Sequence, residues 1–147
     1  MNIRVIHKNK KRFLPLLLLA DEQEDIIDRY LERGTMYVLT DGGVKAECVV
    51  TDEGGGILEI KNIAVMPEYQ RKGYGKALID FLVRKYKGRY SVLQVGTGDS
   101  PLTIPFYEKC GFVRSHKIEN FFTDNYDHPI YECGVQLTDM IYLQKYI

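Results

Sequence analysis

The chain has no tryptophan, three histidines and three cysteines, and no excess charge of either sign. Lys and Arg total 20, as do Asp and Glu, so the formal net charge is zero. Without a global basic field there is no electrostatic case for a nucleic-acid partner. Without an acidic excess there is none for a solvating tail. Cys48, Cys110 and Cys133 are isolated and odd in number, with no C-x-x-C and no histidine at ligand spacing. That argues against a zinc site or a disulfide framework and leaves three apolar thiols, so no metal is expected. His7, His116 and His128 are scattered, and neither a G-x-S-x-G elbow nor a hydrolase carboxylate pair is visible.

Long apolar runs are missing too. Phe13 to Ala20 follows the basic cluster Lys8 to Arg12 much as a signal peptide would, but it carries Pro15 and runs straight into the acidic segment Asp21 to Asp28. It falls well short of the roughly 20 apolar residues of a membrane span. A soluble cytoplasmic protein with no membrane partner is expected. The basic cluster itself has two readings, a solvated turn before the first helix or a local attraction for an anionic ligand.

At 147 residues the chain is expected to form one domain, 1–147, long enough to bury a core. Asn2 to His7 reads as an edge strand, Phe13 to Ala20 as a short helix, and Asp21 to Arg33 as a second helix with Ile26, Ile27, Tyr30 and Leu31 on one face and Gly34 as its stop. Met36 to Leu39 and Val44 to Val50 form a hairpin through Asp41-Gly42-Gly43, and Ile57 to Met66 is a third strand after the turn at Glu53 to Gly56. A helix at 76–87, a strand at Ser91 to Val95, a helix from Leu102 to Lys109 and strands at Val113 to Ile118 and Val135 to Leu143 follow. The fold class is a mixed α/β sheet.

The richest stretch is Gln70-Arg71-Lys72-Gly73-Tyr74-Gly75-Lys76, between the apolar strand and an amphipathic helix. A strand that breaks into a glycine turn and then a helix start presents unpaired N–H groups and the positive end of a helix dipole. That is a site for phosphate oxygens. A dinucleotide fingerprint would need a glycine where Leu78 stands. A Walker loop would need Ser or Thr where Ala77 stands. Both fail. The pattern Q-R-K-G-Y-G, preceded by N-I-A-V-M-P-E-Y, instead resembles the acyl-CoA signature of the GNAT superfamily of N-acetyltransferases, and the order of elements resembles that family over essentially the whole chain.

The resemblance implies a mostly antiparallel central sheet flanked by helices, and acetyl-CoA as co-substrate. It implies that Gln70, Arg71, Lys72, Gly73, Tyr74, Gly75 and Lys76 hold the pyrophosphate, mainly by backbone N–H. Ile63, Ala64 and Val65 would pair with the pantetheine arm as an added strand would, and one of their N–H groups would polarise the thioester oxygen. Tyr107, in P-F-Y-E-K-C-G-F, falls on the tyrosine used beside the CoA sulfur; its other reading is an aromatic of the helix's core face. Glu59, fourteen residues before Gly73, falls where several relatives carry a general-base glutamate. Strand alternation places it on the face of Lys61, Ile63 and Val65. Its other reading is a strand carboxylate paired with Lys61 or Lys45. Asp99 takes the place of an asparagine that many relatives set near the pantetheine, which puts its CoA contact in doubt.

Acceptor specificity in this fold usually comes from the first helices and the loop between the last strands, residues 13–33 and 119–133. The loop mixes Phe121, Phe122, Tyr126 and Tyr131 with Glu119, Asp124, Asp127 and Glu132. Aromatic walls with carboxylates suit a cationic amine, and the same residues also suit a loop packed on the sheet edge. The expected function is direct acetyl transfer to a primary amine of a small molecule. A non-catalytic acyl-CoA sensor and a protein or peptide N-acetyltransferase are the alternatives. A homodimer through exposed edge strands is compatible with the pattern.

Overall fold

The computed structural model describes residues 1–147. Its strands are β1 (Asn2–Ile6), β2 (Thr35–Thr40), β3 (Val44–Asp52), β4 (Ile57–Val65), β5 (Val92–Gly98), β6 (Val113–Ile118), β7 (Tyr131–Glu132), β8 (Val135–Gln136) and β9 (Met140–Tyr146). Its α-helices are α1 (Leu14–Ala20), α2 (Glu24–Ile27), α3 (Tyr74–Tyr86), α4 (Ile104–Lys109) and α5 (Phe121–Asn125). Seven strands form one sheet in the order β1-β2-β3-β4-β5-β9-β6, and β7 and β8 make a separate hairpin. Every neighbour in the large sheet is antiparallel except β4 and β5, which run parallel and are joined by the crossover through α3. The mixed, mostly antiparallel sheet flanked by helices is as the sequence predicts.

Both faces of the sheet are covered, and the alternation of side chains decides which residue goes where. Tyr37, Leu39, Ala46, Cys48, Val50, Leu58 and Ile60 point toward α3 and α4, where Leu78, Ile79, Leu82 and Tyr86 form the apolar stripe of α3. Met36, Val38 and Val49 point the other way and meet Leu17 of α1 with Ile27, Tyr30 and Leu31. Phe122, Ile130 and Leu137 form a small third cluster under the segment between β6 and β9.

Three sequence expectations change. The helix expected over 21–33 is a single α-turn, α2, followed by turns to Gly34. The helical ladder there is broken by tighter i→i−3 bonds, Arg29 N–H to Ile26 O and Tyr30 N–H to Ile27 O, between isolated i→i−4 bonds such as Leu31 N–H to Ile27 O and Gly34 N–H to Tyr30 O. The free carbonyls have another partner. Lys10 is buried, and its Nζ donates to Leu31 O at 2.9 Å and Gly34 O at 2.7 Å. An ammonium is suited to terminal carbonyls, so part of the basic cluster is structural rather than solvated. The strand expected over 135–143 divides into β8 and β9 around Leu137, which turns into the third cluster. The loop at 119–133 contains α5 and β7.

The largest correction lies in β4. Its pairing with β3 passes from Val50↔Ile60 to Val49↔Asn62, leaving Lys61 as an extra, bulged residue. The bulge shifts the alternation by one. Leu58 and Ile60 share the α3 face with Ile63 and Val65, while Asn62 turns toward Leu17 and Tyr30. Glu59 is therefore on the opposite face from Ile63 and Val65, not on theirs.

Glu47 is the most deeply buried acid, fully enclosed in β3 with neither carboxylate oxygen hydrogen-bonded. Burial alone pushes its pKa well above the ordinary carboxylate value. A raised native pKa gives stability that is fully present below the unfolded-state value and is lost as pH rises toward the native one. Over pH 5 to 8 the stability of the wild type should fall relative to Glu47→Gln, by up to about 1.4 kcal/mol per pH unit. Thermal unfolding of both proteins across that range tests it, and parallel curves would show that Glu47 stays ionised in the fold.

Candidate active site

The parallel pairing of β4 with β5 runs from Ile57↔Val92 to Ile60↔Val95 and then stops. Beyond it, residues 62–65 of β4 remain paired with β3, and residues 96–98 of β5 remain paired with β9. The strands part at the bulge, because an extra residue bends and twists the strand that carries it. Between the diverging edges lies a cavity of ≈ 260 Å³ lined by Ile60 to Val65, Val95 to Gly98, Gln70, Thr103 and Tyr107. Its far wall is formed by Ala20, Asp21, Phe122, Tyr126, Ile130, Glu132 and Leu137. Backbone groups on the facing edges of the gap have lost their strand partner. They are a template for an extended ligand, as an added strand would be.

One end of the gap opens on the glycine turn. Arg71 and Gly73 both take left-handed conformations, φ 64° and 89°, and Gly73 caps α3. The N–H groups of residues 71–76 find no backbone acceptor; the first closing bond is Ala77 N–H to Gly73 O at 2.9 Å. Gly75 is required for a different reason. A Cβ there would stand 3.1 Å from Phe106 Cζ and 3.7 Å from Val65 Cγ2, so the turn packs directly on β4 and α4. Gln70 lines the cavity and donates from Nε2 to Val65 O at 3.1 Å, tying the turn to the end of β4. A row of free N–H groups at the start of a helix of 13 residues fits a phosphate-bearing ligand.

The side chains around the turn are charged and mostly exposed. Tyr74 donates to Asp41 at 2.8 Å, and Lys76 pairs with Asp80 at 2.8 Å. Lys45 and Lys72 both stand over the ring of Tyr69, at 3.6 and 5.8 Å from its centroid.

Tyr107 reaches the cavity from α4, with its ring edge-on to Phe106 and Phe112. Burial holds its phenol well above the usual range, so it stays protonated at neutral pH. It is thus a core aromatic that also lines the cavity. Thr97 and Thr103 hydrogen-bond each other beside it at 2.8 Å.

Glu59 and Asp99 lie elsewhere. Glu59 is buried but does not line the cavity; Oε1 accepts from Gln94 at 2.7 Å and Oε2 pairs with Lys61 at 2.8 Å. Asp99 is exposed, with only Arg114 near it at 3.8 Å. None of the three thiols lines the cavity: Cys48 is in the core, Cys110 ends α4, and Cys133 is exposed in the β7–β8 turn.

One cluster escaped the sequence reading. Asp21, directly after α1, accepts from Tyr30 at 3.0 Å and from Tyr126 of the far loop. Asn62 donates to Tyr30 Oη and to Leu17 O, both at 3.0 Å. Burial raises the Asp21 pKa against the lowering effect of the two tyrosines, and burial with the neighbouring carboxylate raises both phenols. The network joins α1, the bulge of β4 and the 121–126 segment at the cavity wall. Asp127 N–H to Gln23, Arg29 to Asn125, and His128 beside Glu22 at 3.6 Å add exposed links between the same parts. Sequence separation hid it, since Asp21 and Tyr126 are 105 residues apart.

The description "Acetyltransferase (GNAT) domain" matches residues 32–114. The chain is 36% identical to the uncharacterized N-acetyltransferase YvbK of Bacillus subtilis, over 97% of this chain and 94% of that protein. Among solved structures it resembles a GNAT family acetyltransferase from Elizabethkingia anophelis with acetyl-CoA bound, at TM-score 0.93 and 35% identity, covering 99% of this chain and 97% of the other. It also resembles an IAA acetyltransferase from Bacillus cereus, at TM-score 0.92 and 38% identity, covering 99% of both chains. With a parted β4 and β5, a glycine turn on the intervening helix and a tyrosine facing the gap, the chain belongs to the GNAT family of acetyltransferases.

Proposed function

We propose that this acetyltransferase moves an acetyl group from acetyl-CoA to a primary amine of a small molecule, directly, in a ternary complex. The observation that carries this reading is a single cavity that runs from Gln70, the residue just before the glycine turn, past Tyr107, to a wall of Phe122, Tyr126, Ile130 and Leu137. The relative from Elizabethkingia anophelis, at 35% identity, binds acetyl-CoA. In this chain the free N–H groups of 71–76 would take the pyrophosphate, and the unpaired edge of Ile63, Ala64 and Val65 would take the pantetheine. Gln70 would brace the junction between them. The far wall bounds the acceptor end of a cavity of ≈ 260 Å³, a size suited to a small molecule.

The chemistry follows from what faces the gap. An N–H of the β4 edge, fixed before the substrate arrives, stabilises negative charge on the thioester oxygen. Tyr107, protonated at neutral pH, supplies a proton to the departing sulfur. With every thiol off the cavity, no cysteine is placed to form a covalent acetyl-enzyme, and in this reading the amine attacks the thioester itself. A lysine-like amine, with a free pKa of about 10.4, must first lose a proton.

Acetyl-CoA and CoA should each raise the melting temperature, by about 2.7 kcal/mol of stabilisation at a hundredfold excess over Kd, whereas NAD⁺ should not. No shift with either CoA species would overturn the assignment of the turn. Gly75→Val, whose side chain would push on Phe106 and the turn, should weaken acetyl-CoA binding at least tenfold by titration calorimetry. Tyr107→Phe should lower kcat by about a hundredfold while leaving the acetyl-CoA thermal shift in place. An unchanged kcat in that variant would remove Tyr107 from the mechanism.

A further inference from the structure

Six ionisable side chains line the cavity: Asp21, Glu22, Lys61, Tyr107, Tyr126 and Glu132. Most have partners in the protein. Both oxygens of Asp21 are taken by Tyr30 and Tyr126, which accounts for Tyr126 as well. Glu22 is half exposed and faces His128. Lys61 is drawn to Glu59 at 2.8 Å and Glu53 at 3.8 Å. Tyr107 is a neutral phenol.

Glu132 differs. It is the last residue of β7, aimed by the tight turn through Cys133 and Gly134, both left-handed at φ 50° and 75°. The hairpin is fixed by pairing of Glu132 with Val135 and by Leu137 N–H donating to Ile130 O at 2.8 Å. Its Oε2 is sealed from solvent and has no hydrogen-bond partner in the protein. Asn62, which lines the same cavity, donates from its amide to Leu17 and Tyr30 and also has a sealed acceptor, Oδ1, that no donor of the protein reaches. Two enclosed acceptors without donors are costly in an empty site and well matched to an ammonium, which brings three donors and a positive charge. Of the four carboxylates in the 119–133 loop, only Glu132 reaches the cavity, and its charge is felt at Tyr107.

We propose that Glu132 receives the ammonium group of the acceptor and takes its proton. Resting on the transferase reading above, this places both proton carriers, Glu132 and Tyr107, on one cavity. The ammonium N–H bond breaks, and its proton passes to the Glu132 carboxylate. The freed lone pair forms the C–N bond at the thioester carbon. When the C–S bond breaks, its electron pair leaves on sulfur, which takes the Tyr107 proton. The second proton of the attacking nitrogen returns to Tyr107, and Glu132 releases its own proton to solvent. Glu59, which does not line the cavity and has its oxygens on Gln94 and Lys61, then serves to hold Lys61 and the bulge.

The first test needs no turnover. Benzylamine and benzyl alcohol, a cation and a neutral molecule of one shape, are compared as stabilisers of the protein–CoA complex by thermal unfolding. The wild type should favour the amine, Glu132→Gln should lose that preference while keeping its CoA-induced shift, and Glu132→Asp should restore part of it. Equal stabilisation by both probes in the wild type, or an undiminished preference in E132Q, overturns the proposal, as does a preference lost equally in E132D. The second test follows thiol release against pH with benzylamine, tyramine and spermidine. E132Q should lower kcat/KM at least a hundredfold and abolish the acidic limb. A limb kept in E132Q but lost in E59Q returns the role to Glu59. If the wild type turns over none of the amines, the small-amine reading fails, and the binding comparison still decides Glu132.

Discussion

One residue too many in β4 organises this molecule. Lys61 has no partner on β3, and its insertion ends the β4–β5 ladder at Ile60 and Val95. A continuous parallel pairing would leave no gap, no free strand edge and no path between the glycine turn and the far wall. The bulge also reverses the faces of the strand. Ile63 and Val65 therefore join the α3 core, while Asn62 and Ala64 turn to the other layer. The cost of an interrupted ladder is offset locally. Lys61 is held by Glu59 and Glu53, and Gln94 and Gln144 extend that chain of contacts across β5 to β9. Glu59, by holding Lys61 and accepting from Gln94, belongs to that chain of contacts.

The second constraint is the clamp around Asp21. A buried carboxylate that accepts from two tyrosines fixes three separate parts of the chain at one point. Burial raises its pKa, so the ionised form depends on those two donors. The clamp positions Phe122 and Tyr126 over the cavity, and with them the segment that carries Ile130 and Glu132. The wall therefore depends on polar pairing as well as on the three buried apolar residues beneath it.

The sheet, the α3 stripe and the glycine turn were legible in the sequence because each is written in neighbouring residues. Gly73 and Gly75 stand in one heptapeptide, and the turn they make is local. The bulge left a trace as well. Leu58 and Ile60 are in one alternating phase and Ile63 and Val65 in the other, a slip that simple alternation from Glu59 overlooks. The short α2 was hidden because the Lys10 ammonium, far away in the chain, satisfies the carbonyls of the turn that follows it. The Asp21 network was hidden for the same reason, its members being contributed by residues 21, 30, 62 and 126. Asp99, at the position the pattern suggests, has an exposed side chain 3.8 Å from Arg114.

This division between local and distant information follows the two ends of the cavity. The end facing the turn is built from main chain: free N–H groups and an unpaired strand edge, which any sequence able to form the turn and the gap will present. The far end is built from side chains drawn from α1, β4, α5 and β7, each set by long-range packing. Main-chain groups recognise a ligand shared by many proteins with little demand on sequence, whereas side chains in a closed pocket set a particular acceptor. The aromatic and aliphatic wall supplies area, and discrimination then rests on the few polar atoms left without partners. Among the sealed side-chain atoms of the cavity lining, those are Asn62 Oδ1 and Glu132 Oε2, both acceptors. Beside the free N–H groups of the strand edge, which suit an extended ligand, sealed acceptors favour a ligand that brings its own donors.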